Sequence, residues 1–181
     1  MNTSIFIKSL KEVDKGEFDY VYTILNKNQK IKVDKEPHKI VEYYLLDNYI
    51  RKNNLNYNIR DIKYSSNGKP TLGNLHFNIS NKDDITVLGI STYEIGIDIE
   101  RVTNYDKNVL KLFFTEREAK NINTNYDFFK IYTLKEAYIK MKDLTLLEIK
   151  SDEYNDYYNA TLSYNKYVIS YVINKKWCIS H

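Results

Sequence analysis

Glu94-Ile95-Gly96-Ile97-Asp98-Ile99-Glu100-Arg101 alternates without a break, with isoleucine at 95, 97 and 99 and glycine, aspartate and glutamate at 96, 98 and 100. A strand turns successive side chains to opposite faces. The stretch therefore predicts a strand with one face for a core and two carboxylates sharing the other. Like charges so placed repel unless something positive lies between them. A hard cation such as Mg²⁺ is one answer, because it takes carboxylate oxygen and keeps positions for water and phosphate. A polar strand face open to water is the other, and the strand alone does not choose.

Outward from that strand the chain reads as short helices and strands. Upstream, Ser4 to Lys8 is strand-like, and Glu17 to Leu25 carries Phe18, Val21, Tyr22 and Leu25 on one helical face. Lys27 to Lys35 reads as a basic turn. Pro37 then opens a longer helix, where its missing N–H has no partner to lose, with Val41, Tyr44, Leu45 and Tyr49 as the apolar stripe. Asn67-Gly68 marks a turn, and His76 to Ser80 with Ile85 to Ser91 predicts a hairpin around Lys82-Asp83-Asp84. Downstream, helices are expected around Val109–Phe114 with Thr115–Lys120, and over Asp127–Met141. Strand patterns follow at Ala160–Tyr164, Tyr167–Ile173 and Lys176–Ile179, and the polar run Ser151–Asn159 reads as a surface loop.

The two halves echo each other at an offset of about 89 residues. Ile24-Leu25-Asn26 falls on Phe113-Phe114-Thr115, and Leu45, Tyr49, Ile50 and Arg51 fall on Leu134, Tyr138, Ile139 and Lys140. Short helix, polar turn and longer helix recur at equal spacing. A duplicated α+β unit produces this pattern, with halves 1–93 and 94–181; so does chance.

Composition narrows the partners. The chain has 181 residues, 43% hydrophobic and 28% charged, with five glycines and two prolines, an ordinary balance for a globular protein without linkers. A formal charge of +3 suits an acidic or phosphorylated partner but is too slight to imply nucleic acid. Cys178 is the single cysteine, which excludes an intramolecular disulfide and a cysteine-rich zinc site. Ile5-Phe6-Ile7 is too short for a signal peptide, and no apolar run approaches a membrane span, so the expectation is a cytoplasmic protein with no membrane attachment.

Other candidates for chemistry each have a bland explanation. Glu136 and Lys140 are spaced i,i+4 on a predicted helix, which makes an ordinary surface ion pair as readily as a site. Thr115-Glu116-Arg117-Glu118 is a capping-box pattern, which accounts for Thr115 and Glu118 structurally. Lys135 and Glu148 add charge nearby without clear geometry. His38, His76 and His181 lack metal-ligand spacing, and there is no Gly-rich phosphate loop or nucleophile elbow.

Five segments taken in order resemble the surfactin-synthetase-activating type of 4′-phosphopantetheinyl transferase. They are Gly68-Lys69-Pro70, Phe77-Asn78-Ile79-Ser80, Gly96-Ile97-Asp98-Ile99-Glu100, Phe113-Phe114-Thr115-Glu116-Arg117-Glu118 and Tyr132-Thr133-Leu134-Lys135-Glu136-Ala137-Tyr138-Ile139-Lys140. Together they cover roughly Lys27 to Leu146. The resemblance implies an α+β fold, a monomer of two similar α/β halves related by a pseudo-two-fold with the active site between them. It implies transfer of the 4′-phosphopantetheine arm of coenzyme A to a serine of an apo acyl or peptidyl carrier protein, with adenosine 3′,5′-bisphosphate as second product. Asp98, Glu100 and Glu136 match the family's Mg²⁺-binding acids, Glu118 the acid proposed as general base, and Lys140 the lysine on the phosphates. Lys69, Pro70 and Ser80 match positions that grip the nucleotide end, and Lys39 lies where an arginine near the adenine is common.

Two departures bear on coenzyme A. Asn81 stands where the family usually has histidine; it donates a neutral hydrogen bond but carries no charge, so a weaker grip on phosphate is expected unless Lys82 compensates. Tyr132 replaces the usual tryptophan and keeps an aromatic ring. The competing readings are a single-unit holo-acyl-carrier-protein synthase, a catalytically silent module that binds coenzyme A or a carrier protein, and, least favoured, a nucleic-acid binder through the lysines of 27–35.

Overall fold

The computed structural model describes residues 2–145 and 152–176. The first half begins with strand β1 (Thr3–Ser9), followed by helices α1 (Lys15–Ile24), α2 (Lys27–Lys35) and α3 (Lys39–Lys52). A two-stranded ribbon, β2 (Lys63–Tyr64) with β3 (Pro70–Thr71), precedes the hairpin of β4 (His76–Lys82) and β5 (Ile85–Ser91). The second half repeats the plan with β6 (Ile95–Arg101), α4 (Lys107–Phe113), α5 (Glu116–Lys120), α6 (Asn125–Lys142), β7 (Tyr157–Tyr164) and β8 (Tyr167–Lys176).

Each half holds one three-stranded antiparallel sheet, and the strand orders correspond: β1-β5-β4 and β6-β8-β7. In both, the first strand pairs with the last, and the second lies outside. The capping boxes also correspond at the offset of 89. Asn26 caps α2 with Gln29 reaching back, and Thr115 caps α5 with Glu118 reaching back. The fold is therefore α+β, with a repeated order of elements.

Between the sheets lies an apolar seam. Ile97 and Ile99 of β6 pack with Ile85 and Val87 of β5 and Ile169 of β8, with Ile5 and Ile7 of β1 alongside. Ile97 and Ile99 are almost wholly buried, and burial of each is worth about 1.5–3 kcal/mol. Among the polar links between the sheets, the Ile97 amide donates to Asn78 Oδ1 at 3.0 Å. A second core holds α3 against the first sheet through Ile40, Val41, Leu46, Phe77 and Leu88.

Several local expectations need correction. Lys27–Lys35 is helix α2, not a turn, because the Asn26–Gln29 box starts it, Gln29 Nε2 donates to the Ile59 carbonyl at 2.6 Å, and Val33 is buried. The longer helix begins at Lys39 rather than Pro37. Bonds from Ile40 N to Pro37 O and Val41 N to His38 O form a tight lead-in turn, and His38 makes no side-chain cap. Of its expected stripe, Tyr44 and Tyr49 are only half-buried, while Tyr43 and Leu46 are buried. The stretch taken for a surface loop also differs. Residues 153–156 form a 3-10 turn, β7 starts at Tyr157, and Tyr154 and Tyr157 pack with Leu134, Tyr138 and Met141. The polarity of Asp152, Glu153, Asn155 and Asp156 hid two inward tyrosines, whose rings are apolar bodies with polar tips. Lys176 is the last described residue and belongs to β8; the rest of the strand expected over Lys176–Ile179, with Cys178, Glu148 and His181, lies outside the described residues.

Helix α6 sits on β6 at closer range than side chains normally allow. A Cβ at Gly96 would lie 1.8 Å from the Ala137 carbonyl oxygen and 2.5 Å from the Met141 nitrogen. Both are backbone atoms and cannot turn aside. Gly96→Ala is accordingly expected to cost at least about 3 kcal/mol, read from the urea midpoint. An unchanged midpoint would mean that α6 does not ride this close to the strand.

Candidate functional site

The carboxylates of β6 face the closely packed side of α6. Asp98, buried at 5% exposure, accepts from Lys140 Nζ at 2.6 Å and from Ser80 Oγ at 2.8 Å, both on Oδ1. Lys140 Nζ also donates to Ser80 Oγ at 2.9 Å. Three elements thus meet at one oxygen: β4 supplies Ser80, β6 Asp98 and α6 Lys140. Asp98 Oδ2 is buried and has no hydrogen-bond partner among the described residues. An unpartnered buried carboxylate oxygen is costly and marks a place where a positive ligand would be welcome.

Glu136 and Glu100 complete the acid cluster. The Glu136 carboxyl is pushed above the usual carboxylate range, first by burial and next by Asp98; Glu100 adds to this, and Lys140 and a hydrogen bond from Tyr132 oppose it. The Tyr132 hydroxyl is likewise pushed up, by burial and then by Glu136. Glu100 is more open and pairs with Lys82 Nζ at 2.5 Å through Oε2. Lys82 therefore balances Glu100 and does not stand beside Asn81 as a substitute for an imidazolium. Among the described residues no group of three or more His, Cys, Asp or Glu side chains closes into a metal cage. The donor chemistry nevertheless fits a hard cation: three carboxylates, one with an orphan oxygen and one whose ionisation the others oppose. Mg²⁺ in such sites keeps water and phosphate in its shell rather than relying on protein ligands alone.

The remaining candidates fall on three sides of this cluster. Lys69 and Pro70 line a cleft of about 360 Å³ with Gly68, Asn78, Lys140 and Leu144. Lys69 Nζ donates to the Met141 carbonyl at 2.6 Å, and burial lowers the lysine's pKa. Ser65 Oγ and Asn67 Nδ2 bond the Asp143 side chain and carbonyl at 3.0 and 2.6 Å, so the ribbon grips the C-terminus of α6. Asp143 there adopts φ 56°, the left-handed ending in which its own amide and that of Leu144 bond the Ile139 carbonyl.

Asn81 points away from Ser80, as strand neighbours must. Its Nδ2 donates to Glu42 Oε1 at 2.5 Å, its Oδ1 accepts from Thr86 Oγ1 at 2.6 Å, and Lys39 Nζ donates to the same Glu42 oxygen at 2.8 Å. The structure thus joins Lys39 and Asn81 through Glu42, which sequence reasoning passed over; the i,i+3 spacing of Lys39 and Glu42 was the available signal. Glu118 is separate again. At 4% exposure, it accepts from Lys135, Tyr154 and the Thr115 amide. Lys135, 1% exposed, has its pKa lowered by burial and held up by Glu118. A hollow of about 280 Å³ beside Glu100, walled by Tyr105, Phe113, Phe128, Phe129 and Tyr132, was also unforeseen.

Comparison with known proteins places the acid cluster in context. Residues 94–172 match the family model described as the 4′-phosphopantetheinyl transferase superfamily, a span holding Asp98, Glu100, Glu118, Glu136 and Lys140. The chain is 30% identical over 152 residues to the 4′-phosphopantetheinyl transferase gsp of Aneurinibacillus migulanus, covering 75% of this chain and 63% of that protein. It is 31% identical over 94 residues to the 4′-phosphopantetheinyl transferase Sfp of Bacillus subtilis strain 168, covering 45% and 42%. To the 4′-phosphopantetheinyl transferase ffp of Bacillus subtilis it is 28% identical over 96 residues, covering 47% and 43%. The chain thus spans less than two thirds of the length of these relatives.

The raised Glu136 pKa carries a stability consequence with a definite sign. Where both folded and unfolded states are protonated there is no penalty. The penalty appears as pH rises above the unfolded value and is complete above the folded one. In metal-free buffer, Glu136→Gln is therefore expected to raise the melting temperature at neutral pH, with the gain vanishing as pH falls through the carboxylate range. A gain that grew towards acid pH would contradict this assignment of charges.

Proposed function

Residues 94–172 place this chain in the 4′-phosphopantetheinyl transferase superfamily, among relatives of the Sfp-like type, and from that premise we propose that it transfers the 4′-phosphopantetheine arm of coenzyme A to a serine of an apo acyl or peptidyl carrier protein. The serine oxygen bonds to the phosphorus bearing the pantetheine arm, the bond from that phosphorus to the bridging oxygen breaks, and adenosine 3′,5′-bisphosphate leaves as the serine proton is released. The observation that carries the reading is Asp98: a buried carboxylate with one oxygen tied to Lys140 and Ser80 and the other without a partner among the described residues, beside Glu136.

Asp98, Glu100 and Glu136 would hold Mg²⁺, which when bound supplies positive charge to the pyrophosphate. Lys140 lines the cleft and donates at Asp98, so its ammonium is placed to neutralise charge building on the leaving phosphate. Ser80 orients both partners. Lys69 and Pro70 form the wall against which the nucleotide end would lie, and Lys39 with Asn81 offers a polar patch on the far face of β4. The two halves, 1–93 and 94–181, act together as one catalytic module, working as a monomer in the cytoplasm; a modest positive charge suits the acidic carrier.

Incubation with Mg²⁺, coenzyme A and a panel of apo carrier proteins should add one phosphopantetheine arm to a carrier, read by intact mass. Coenzyme A binding with no mass gain on any carrier would favour a silent binding module. Asp98→Ala is expected to lower the transfer rate by roughly 10²-fold or more with the fold retained, and Lys140→Met by about 10²-fold. Full activity in a folded Asp98→Ala protein would remove the metal role assigned to this residue.

A further inference from the structure

Glu118 is the acid that family resemblance casts as proton acceptor for the carrier serine, and its surroundings argue otherwise. A carboxylate offers about four lone-pair positions on its two oxygens. Here Oε1 accepts from Lys135 Nζ and Tyr154 Oη, each at 2.9 Å. Oε2 accepts from Lys135 Nζ at 2.9 Å and from the Thr115 amide at 2.7 Å. All four positions are taken, and the side chain is 4% exposed. A general base must reach the proton it removes, and nothing on this carboxylate is left to do so.

The repeat supplies an independent comparison. At the offset of 89, Glu118 corresponds to Gln29 and Lys135 to Leu46. Gln29 is buried at 3%, closes the same capping box at the start of α2, and its amide bonds a backbone carbonyl; Leu46 is wholly buried in α3. The half without the acid cluster fills the same two places with neutral buried residues. In the second half the places are filled by an ion pair.

We propose that Glu118 is a positioning residue rather than the proton acceptor: with Lys135 and Tyr154 it locks α5 and the 153–156 turn onto α6, and so sets the rotation at which α6 presents Glu136 and Lys140 to Asp98. The proposal rests on the transferase reading of that site. Lys135 and Glu136 are adjacent, about 100° apart around the helix, so what fixes one aims the other. On its sheet side α6 is held by Ala137 against Gly96 and by Thr133 Oγ1 with Ser170 Oγ at 2.7 Å. The Glu118 pair braces the helix from α5. A misplacement of an ångström at a reacting group costs as much as 10²-fold in rate.

The test compares Glu118→Gln, Glu118→Ala and the double variant Glu118→Gln/Lys135→Leu, which copies the first half's pair, in two assays. The assays are carrier modification across pH and Mg²⁺ binding by calorimetry without coenzyme A. Glu118→Gln and the double variant should keep transfer within about tenfold of the parent and retain the acid limb of the pH–rate profile, since loss of a base costs about 10²–10⁴-fold. Glu118→Ala should weaken Mg²⁺ binding about tenfold, as loss of a residue behind the ligands does, with rescue by glutamine. A folded Glu118→Gln protein that loses 10²-fold or more together with the acid limb would overturn the proposal. So would equal Mg²⁺ affinity in parent, Gln and Ala proteins. If Glu118→Gln does not fold, the double variant is judged by the same criteria. A parent that modifies no carrier, while its Mg²⁺ affinity still depends on residue 118, would sink the transferase reading and leave the positioning role standing.

Discussion

The contact of α6 backbone on β6 at Gly96 is the constraint from which the site follows. Without a Cβ at 96, the Ala137 carbonyl can approach the strand to a distance no other residue would permit. That closeness brings Lys140, a long flexible side chain, to 2.6 Å from Asp98 on the same strand face. Glu136, one turn earlier, is drawn into the same field, and its perturbed carboxyl registers Asp98 as the chief charged neighbour. A helix held off by an ordinary side chain would leave the acids of β6 to water, which was the bland reading of their alternation.

Two lysines of one helix meet two buried acids here, and the pairings are physically different. Lys135 and Glu118 form a closed unit, with both partners sealed and every oxygen position of the acid filled. Such a pair adds little net stability but is strongly destabilising to break, by roughly 3–5 kcal/mol. Lys140 and Asp98 form an open one, since the lysine is 29% exposed in its side chain and the acid keeps a buried oxygen without a partner among the described residues. Closure marks a structural joint. Openness leaves electrostatic work to be done by something that arrives.

Elements with strong periodicity were legible in the sequence. The strict alternation of β6 named both its core face and its acid face, and α6 was placed to within two residues at its N-terminus and one at its C-terminus. The same strand also marked Gly96 as facing the acids' side, though not that a helix backbone would fill the space. Where reading failed, polar residues had internal partners. Lysines masked α2 although Asn26 and Gln29 spelled a capping box, and acids around Tyr154 masked a buried turn. Lys135 was invisible as a core residue because no pattern distinguishes a paired buried lysine from a solvated one. Lys39 and Asn81 were named separately, but Glu42, which joins them, belongs to a contact between α3 and β4 that local periodicity does not encode.

The corresponding strand orders show why the acid cluster forms in one half only. At the offset of 89, Asp47 and Arg51 stand for Glu136 and Lys140, and Asp47 and Arg51 form an i,i+4 ion pair at 2.7 Å. Helical acid–base pairs of this spacing are ordinary, and in the first half the pair remains one, because β1 carries no acid on either face. In the second half the equivalent pair meets Asp98 and Glu100 from the strand beneath. The excess of negative charge then cannot be neutralised by the helix lysine alone, even with Lys82 reaching across to Glu100. The two sheets thus share one strand order, and only the one whose first strand carries acids gathers a carboxylate cluster under its long helix. The other half contributes from outside the acid cluster, through Ser80 on the oxygen of Asp98 and Lys69 on the end of α6, so the cluster takes its finished form only at the seam between the two.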